Sequence, residues 1–136
     1  MQHEIHFGPD WAEIRTSGVA SVAGIQAFGE ALAADPRWRP GMDLIVNHTD
    51  LDVRPLGPEE MATLGRRARR KEHPTRGFRR CAFVLPGKLQ YGLGRMWQSF
   101  AEHSEPGKIQ LFESLDAAHA WLRASVADDS TRAAPR

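Results

Sequence analysis

The sequence predicts an α/β fold: a mainly parallel five-stranded sheet with an antiparallel N-terminal edge strand and four helices. Three observations carry this. From residue 21 onward, helix-type and strand-type segments alternate, the pattern of a parallel sheet joined by right-handed crossovers. MDLIVNHT (42–49) and RCAFVL (80–85) are near-continuous apolar runs, as strands covered on both faces are. HEIHF (3–7) and WAEIRTSGVA (11–20) instead alternate, and only Gly8-Pro9-Asp10 separates them, which suits a hairpin.

The elements follow in order. After the hairpin, Ile25, Phe28 and Leu32 recur at helical spacing, with Ser21 placed to cap the first turn. This helix is expected to stop at Asp35-Pro36, because the residue before a proline is pushed out of the helical region. RWRPGM is a loop leading into the central strand at 42–49. Gly57-Pro58-Glu59-Glu60 opens the second helix, since proline suits the first helical position and the two acids face the positive end of the dipole. Met61, Leu64 and Ala68 form its stripe, and His73-Pro74-Thr75-Arg76-Gly77 leads to the strand at 80–85. KIQLFE (108–113) is the last strand. Ser114 caps a final helix with Ala118, Trp121 and Leu122 on one face. A single domain is expected over 1–125, followed at 126–136 by a flexible C-terminal tail, VADDSTRAAPR, which has too little apolar surface to order itself.

The stretch YGLGRMWQSF (91–100) holds two glycines close together and raises the question of a phosphate loop. A dinucleotide fingerprint needs G-x-G-x-x-G directly after the first strand, and its third glycine position is Trp97 here. On a helical wheel Leu89, Leu93, Met96, Trp97 and Phe100 share one face, so the segment reads as a helix packed on the sheet. Gly92 and Gly94 flank that face. Each costs roughly 1 kcal/mol of helix propensity relative to alanine, so a close approach of another backbone is expected to compensate.

Composition narrows the function classes. The chain has 136 residues, room for one core of ordinary size. No apolar run approaches the ~20 residues of a membrane span, and the N-terminus lacks a basic segment followed by an apolar one, so a cytoplasmic protein is expected. Cys81 is the only cysteine, which excludes an internal disulfide and a cysteine-cluster zinc site and points to a buried, inert thiol. The net charge of +1 is uneven: between Arg66 and Arg80 eight basic residues face one acid, leaving that window at +7 and the remainder at −6. Only Phe78 interleaves with those cations, and the run closes a helix, where cations complement the dipole. The pattern argues against a nucleic-acid partner.

The segments ALAADPRWRPGMDLIV, YGLGRMWQSF and LFESLDAAHAWL resemble those of small bacterial proteins with a SpoIIAA-like, or STAS-like, domain, a group sharing its general architecture with CRAL-TRIO lipid-binding domains. The resemblance spans residues 3 to 123. It implies strands in sequential order with helices packed on them, used for binding or regulation rather than catalysis. Anti-sigma-factor antagonists of this fold carry a phosphorylated serine in an Asp-Ser pair after the central strand. The corresponding NHTDLDVRPLGPEEM has Thr49 as its only hydroxyl, so that switch does not carry over.

Catalysis needs a nucleophile with a base, a tuned acid–base pair, or a metal. His3 and His6 point to opposite faces of a strand and cannot chelate together. Ser99 and His103 are one helical turn apart but lack a nucleophile elbow. His119 suits a partly exposed position between alanines. Asn47, His48 and Asp50 are read as following the central strand, where ligands of parallel sheets gather, with Gly87 and Lys88 opening onto the same edge and helix N–H groups there able to hold an anion. Tyr91 and Arg95, four apart, can touch with the guanidinium over the ring. The candidate ligand-binding set is therefore Asn47, His48, Gly87, Lys88, Tyr91 and Arg95, with no catalytic or metal residues and no cofactor. The expected function is a non-catalytic module binding a protein partner or small ligand, with a homodimer among the expected states and Trp38 hinting at contact surface. The alternative is a carrier of a lipid or apolar metabolite, which needs a cavity of at least ~300 Å³.

Overall fold

At the N-terminus Gly8-Pro9-Asp10 turns the chain back on itself, and the Gly8 N–H donates to Trp11 O at 2.9 Å. Strands β1 (Gln2–Phe7) and β2 (Trp11–Val19) thereby pair antiparallel, with Ile5 opposite Ile14 and Phe7 opposite Ala12. A computed structural model describes residues 1–68, 77–101 and 108–133. Beyond the hairpin come α1 (Val22–Ala34), β3 (Asp43–Asp52), α2 (Pro58–Ala68), β4 (Cys81–Val84), α3 (Lys88–Ala101), β5 (Ile109–Phe112) and α4 (Leu115–Ala133). The strands lie in sequence order β1-β2-β3-β4-β5, all parallel after the first pair. This is the architecture the sequence predicts, and the caps agree with it. Ser21 Oγ accepts from Gly24 N–H at 3.0 Å, Ser114 Oγ from Ala117 N–H at 3.2 Å, and Asp35 is extended before Pro36.

Parallel strands in sequential order, each joined by a right-handed crossover, place every crossover helix on one side. Phe28 and Leu32 of α1 accordingly pack with Ala12, Ile14, Leu44, Val46 and Cys81. Trp97 of α3 stacks on Phe83 on the same face, and α2 packs against α3 through Met61, Leu64 and Leu93. The opposite face receives α4, whose Ala118 and Leu122 cover Ile45, Ala82 and Val84. β3 is thus buried on both faces over Asp43–Val46, as its continuous apolar run requires. At its start buried Asp43 takes a two-pronged contact from Arg79, at 2.8 and 3.0 Å, and Arg79 also donates to Leu122 O at 3.1 Å. One cation of the basic window is therefore an internal clamp between the sheet and α4.

Several expectations are corrected. β3 runs on to Asp52 because β2 continues to pair with it: Arg15 faces Asn47 but Ser17 faces Asp50, so β3 carries one extra residue in a bulge. Asn47, His48 and Asp50 therefore lie within the strand and not beyond its end. α4 continues to Ala133, so the backbone is helical through most of the segment expected as a tail. Trp38, in the loop after α1, folds back against the core around that helix instead of standing out as contact surface. Leu89, placed on the buried stripe by the helical wheel, is 54% exposed, because it sits in the first turn of α3 before the helix reaches the sheet. The side chains of Ala68, Phe100 and His103, and the basic window from 69 to 76, lie outside the described residues.

The two glycines of α3 separate. A Cβ on Gly94 would overlap Leu85 Cδ1 and press on Leu111, both buried side chains rather than the backbone expected, whereas one on Gly92 would meet nothing. Gly92→Ala is expected to raise stability by up to ~1 kcal/mol through helix propensity, while Gly94→Ala lowers it by about 1–2 kcal/mol through overpacking that the same propensity gain only partly offsets. Urea unfolding of the two variants beside the parent checks both signs.

Candidate functional site

The alternation of side chains along β3 splits neighbouring candidates between the two faces. Asn47 Oδ1 accepts from the Thr49 N–H at 3.1 Å and from the Thr49 hydroxyl, a local turn that shapes the bulge. Its Nδ2 donates to Glu13 Oε2 at 3.2 Å. Glu13 is 1% exposed and is also held by Arg15 through Nε at 2.7 Å. Burial works to raise the Glu13 pKa, but the hydrogen bonds from Arg15 and Asn47, helped by the charges of Arg15 and His119, outweigh it and hold the carboxyl below its ordinary value. Asn47 is thus a structural tie on the α4 side of the sheet.

His48 points the other way. Its ring lies under α1 among Phe28 and Phe83, with centroids 5.9 and 6.2 Å away, and Thr16 Oγ1 is 2.6 Å from Nδ1. Burial alone pulls its pKa down to about 4, so the ring is neutral at physiological pH. Its carbonyl, not its ring, reaches the other candidates.

That link runs through Gln90, a residue absent from the set drawn on the sequence. Gln90 Oε1 accepts from Gly87 N–H at 2.9 Å, and its Nε2 donates to His48 O at 3.2 Å and Leu51 O at 2.8 Å. A glutamine three residues into a helix is the reciprocal half of a capping box, and that spacing was its signal. Gly87 N–H is consequently engaged. Lys88 and Arg95 are exposed and Tyr91 half-buried along α3, and Gly87 immediately precedes that helix. Among the described residues the cation–π contact is Arg37 over Phe7, at 4.4 Å, not Arg95 over Tyr91. Two large apolar side chains stand in solvent at this end of the sheet: Val19, the last residue of β2, at 56% exposure, and Leu89 in the first turn of α3.

The remaining candidates are engaged elsewhere. Ser99 Oγ donates to Met96 O at 2.8 Å. Cys81 is buried, and burial with nearby Asp43 pushes its thiol pKa far up. His6 contacts Glu4, and His119 meets Trp11 edge-on at 5.3 Å. Among the described residues no three His, Cys, Asp or Glu side chains are grouped to hold a metal, and no helix is long and apolar enough to cross a membrane.

No family model matches the sequence, and no curated protein matches it. A solved structure does: that of an uncharacterized protein from the DUF3478 family with a SpoIIAA-like fold, from Shewanella loihica PV-4, with a TM-score of 0.51 over 89% of this chain and 92% of that one. The chain has the SpoIIAA-like fold. At 20% identity the likeness speaks of shape alone.

The buried imidazole makes the stability of this SpoIIAA-like domain pH-dependent. With the His48 pKa at about 4 when folded, against 6.5 ordinarily, the unfolded chain takes up the proton first, so stability falls as pH drops through that window. Between about pH 7 and pH 5 the expected loss is about 2 kcal/mol. Glu13, Asp35 and Asp52, whose pKa values are lowered, withdraw their contributions only as pH falls below the carboxylate range. Urea unfolding across this interval, with His48→Phe as the variant expected to flatten the profile, measures it.

Proposed function

We propose that the chain is a non-catalytic binding or regulatory module of the STAS-like type, and that it engages a protein partner at the edge where β2 and β3 end and α3 begins. One observation carries this: Val19 and Leu89, the two large apolar side chains most open to solvent among the described residues, flank the end of β3. Val19 pairs with Asp52 on one side, and Gln90, next to Leu89, is tied to Leu51 O on the other. Scattered single exposures are ordinary, but two that flank one strand end are covered together by a partner broad enough to span both. Exposed Lys88 and the Arg54–Asp52 pair form a polar rim, the usual setting of an apolar anchor. Gly87, Tyr91 and Arg95 extend this surface along α3.

The absence of catalysis is supported by how the hydroxyls are spent. The hydroxyl–imidazole pair among the described residues, Thr16 with His48, is sealed at 3% and 7% exposure, and its hydroxyl is branched and fixed in a strand. A cytoplasmic setting is part of the same reading and agrees with the lone free Cys81.

Photo-crosslinking residues placed at 19 and at 89, with a control at exposed Ala33, test the edge. The expected result is one discrete adduct shared by positions 19 and 89 and absent from the control. Leu89→Glu should then weaken binding of that purified partner by roughly tenfold or more, read by calorimetry. An adduct to a second copy of the chain would replace the partner protein with a homodimer, and adducts only at the control would end the proposal.

A further inference from the structure

The outer edge of β1 is bare. Among the described residues β1 pairs with β2 alone, over six residues and without a bulge. Because the Gly8 N–H bonds to Trp11 O, the alternation of an antiparallel ladder makes the even-numbered residues of β1 the ones that bond to β2. The N–H and C=O groups of His3, Ile5 and Phe7 therefore point outward, and among the described residues nothing bonds to them. Edge strands usually carry a guard such as a proline, a lysine or a bulge. β1, QHEIHF, has none of these. The other edge of the sheet is treated differently: β5 has only four residues, Lys108 precedes it, and Gln98 Nε2 donates to Ile109 O at 3.2 Å.

What this edge fits is a second copy of itself. Residues directly opposite in a ladder share a face, so two β1 strands can pair antiparallel only in registers that keep Ile5 and Phe7 on one face and Glu4 and His6 on the other. The central registers of that kind place the two-fold axis at Glu4, at Ile5 or at His6. The first sets Glu4 against Glu4 and the last His6 against His6, like against like. The axis at Ile5 instead sets Ile5 against Ile5, Glu4 against His6 and His3 against Phe7. Since Arg15 faces Glu4 and Glu13 faces His6 within each chain, base and acid then alternate in one row from Arg15 through Glu4 to His6 and Glu13 of the second copy. On the other face Ile14 and Ile5 of both copies form an apolar row. The ladder also ends where its chemistry ends: the next outward position after Phe7 is Pro9, which has no N–H and whose carbonyl is taken by Arg39 Nη2 at 2.9 Å.

We propose that two copies of this chain join edge to edge along β1, about a two-fold axis at Ile5, and merge their five-stranded sheets into one. His3, Ile5 and Phe7 each donate one backbone hydrogen bond and accept one across the junction. Glu4 and His6 already touch within one strand at 3.3 Å, and pairing gives each the counterpart from the second copy as well. The ladder uses none of the residues of the docking edge, so the two proposals stand or fall separately.

Sedimentation of the full chain at graded concentrations tests the association. The chain is expected to pass from its own mass to twice that mass, half-converted at roughly 10–100 μM, the weak range that suits so small a contact. Amide hydrogen exchange in the same samples should slow at His3, Ile5 and Phe7 as concentration rises, while Glu4 and His6, whose amides already bond to β2, change little. His3→Pro removes one outward donor and spares the bonds to β2, so it should fold and need at least roughly tenfold more protein to pair. Disulfide trapping tests the register: Glu4→Cys chains mixed with His6→Cys chains should link under mild oxidation, whereas Glu4→Cys alone should not, its two cysteines lying diagonal and out of reach. Buried Cys81 does not compete. A chain still monomeric at about 1 mM, a dimer in which the three outward amides exchange as fast as in the monomer, a His3→Pro chain that pairs like the parent, or Glu4→Cys linking to itself in preference to His6→Cys would each overturn the proposal. The first two use the unaltered chain, so they decide the matter even where a variant fails to fold.

Discussion

Right-handedness of the β–α–β crossover, applied three times to strands laid down in sequence order, is the constraint from which the rest follows. It sends α1, α2 and α3 to one face and leaves α4 alone to cover the other. A single helix does not span the sheet, so the far face of β1 and the end of β2 next to it is polar: Glu4, His6 and Arg15 lie there, while Trp11 and buried Glu13 of β2 lie nearer α4. The three-helix face has the opposite problem. It must cover all five strands, and it covers them unevenly: Phe83 and Trp97 on that face are only partly buried.

Those parts of the fold that depend on local chemistry were legible in the sequence. Ser21 accepting the Gly24 N–H, Asp35 extended before Pro36 and the turn at Gly8 are each decided within four residues. Burial of MDLIV and CAFV was legible because a short continuous apolar run bounded by loop residues is stable in water only when both of its faces are covered. What escaped depends on pairing between distant segments. Nothing near Asn47 announces that β2 will keep hold of β3 past a bulge, because the bulge is a count of residues on two strands at once. Asn47 and His48, neighbours in sequence, do not share a site, because alternation along the strand sends them to opposite faces. Trp38 and Leu89 exchanged roles similarly, since a loop aromatic can fold back on the core and a first-turn leucine can overhang it.

Charges behave more locally than the composition suggests. Arg15–Glu13, Arg37–Asp35 and Arg54–Asp52 are all pairs two residues apart, each cation folded onto its own near neighbour. In the last two the arginine N–H also donates to the same carboxylate, which holds Asp52 at about 2 through hydrogen bonds from Arg54 before any charge attraction is counted. Exposed pairs of this kind add little stability. They do cancel charge where it stands.

Gln90 ties the start of α3 to the far end of β3. β4 pairs with β3 only as far as Asn47 opposite Val84, yet β3 continues five residues further, so carbonyls on that side need donors that no strand supplies. One side-chain amide takes their place, reaching both His48 O and Leu51 O, the two ends of the bulged stretch, while its oxygen caps the helix it belongs to. A longer fourth strand would have made Gln90 unnecessary and would have severed α3 from the end of β3. As it stands, the helix turn that presents Leu89 is held to the last residues of β3 by that one side chain.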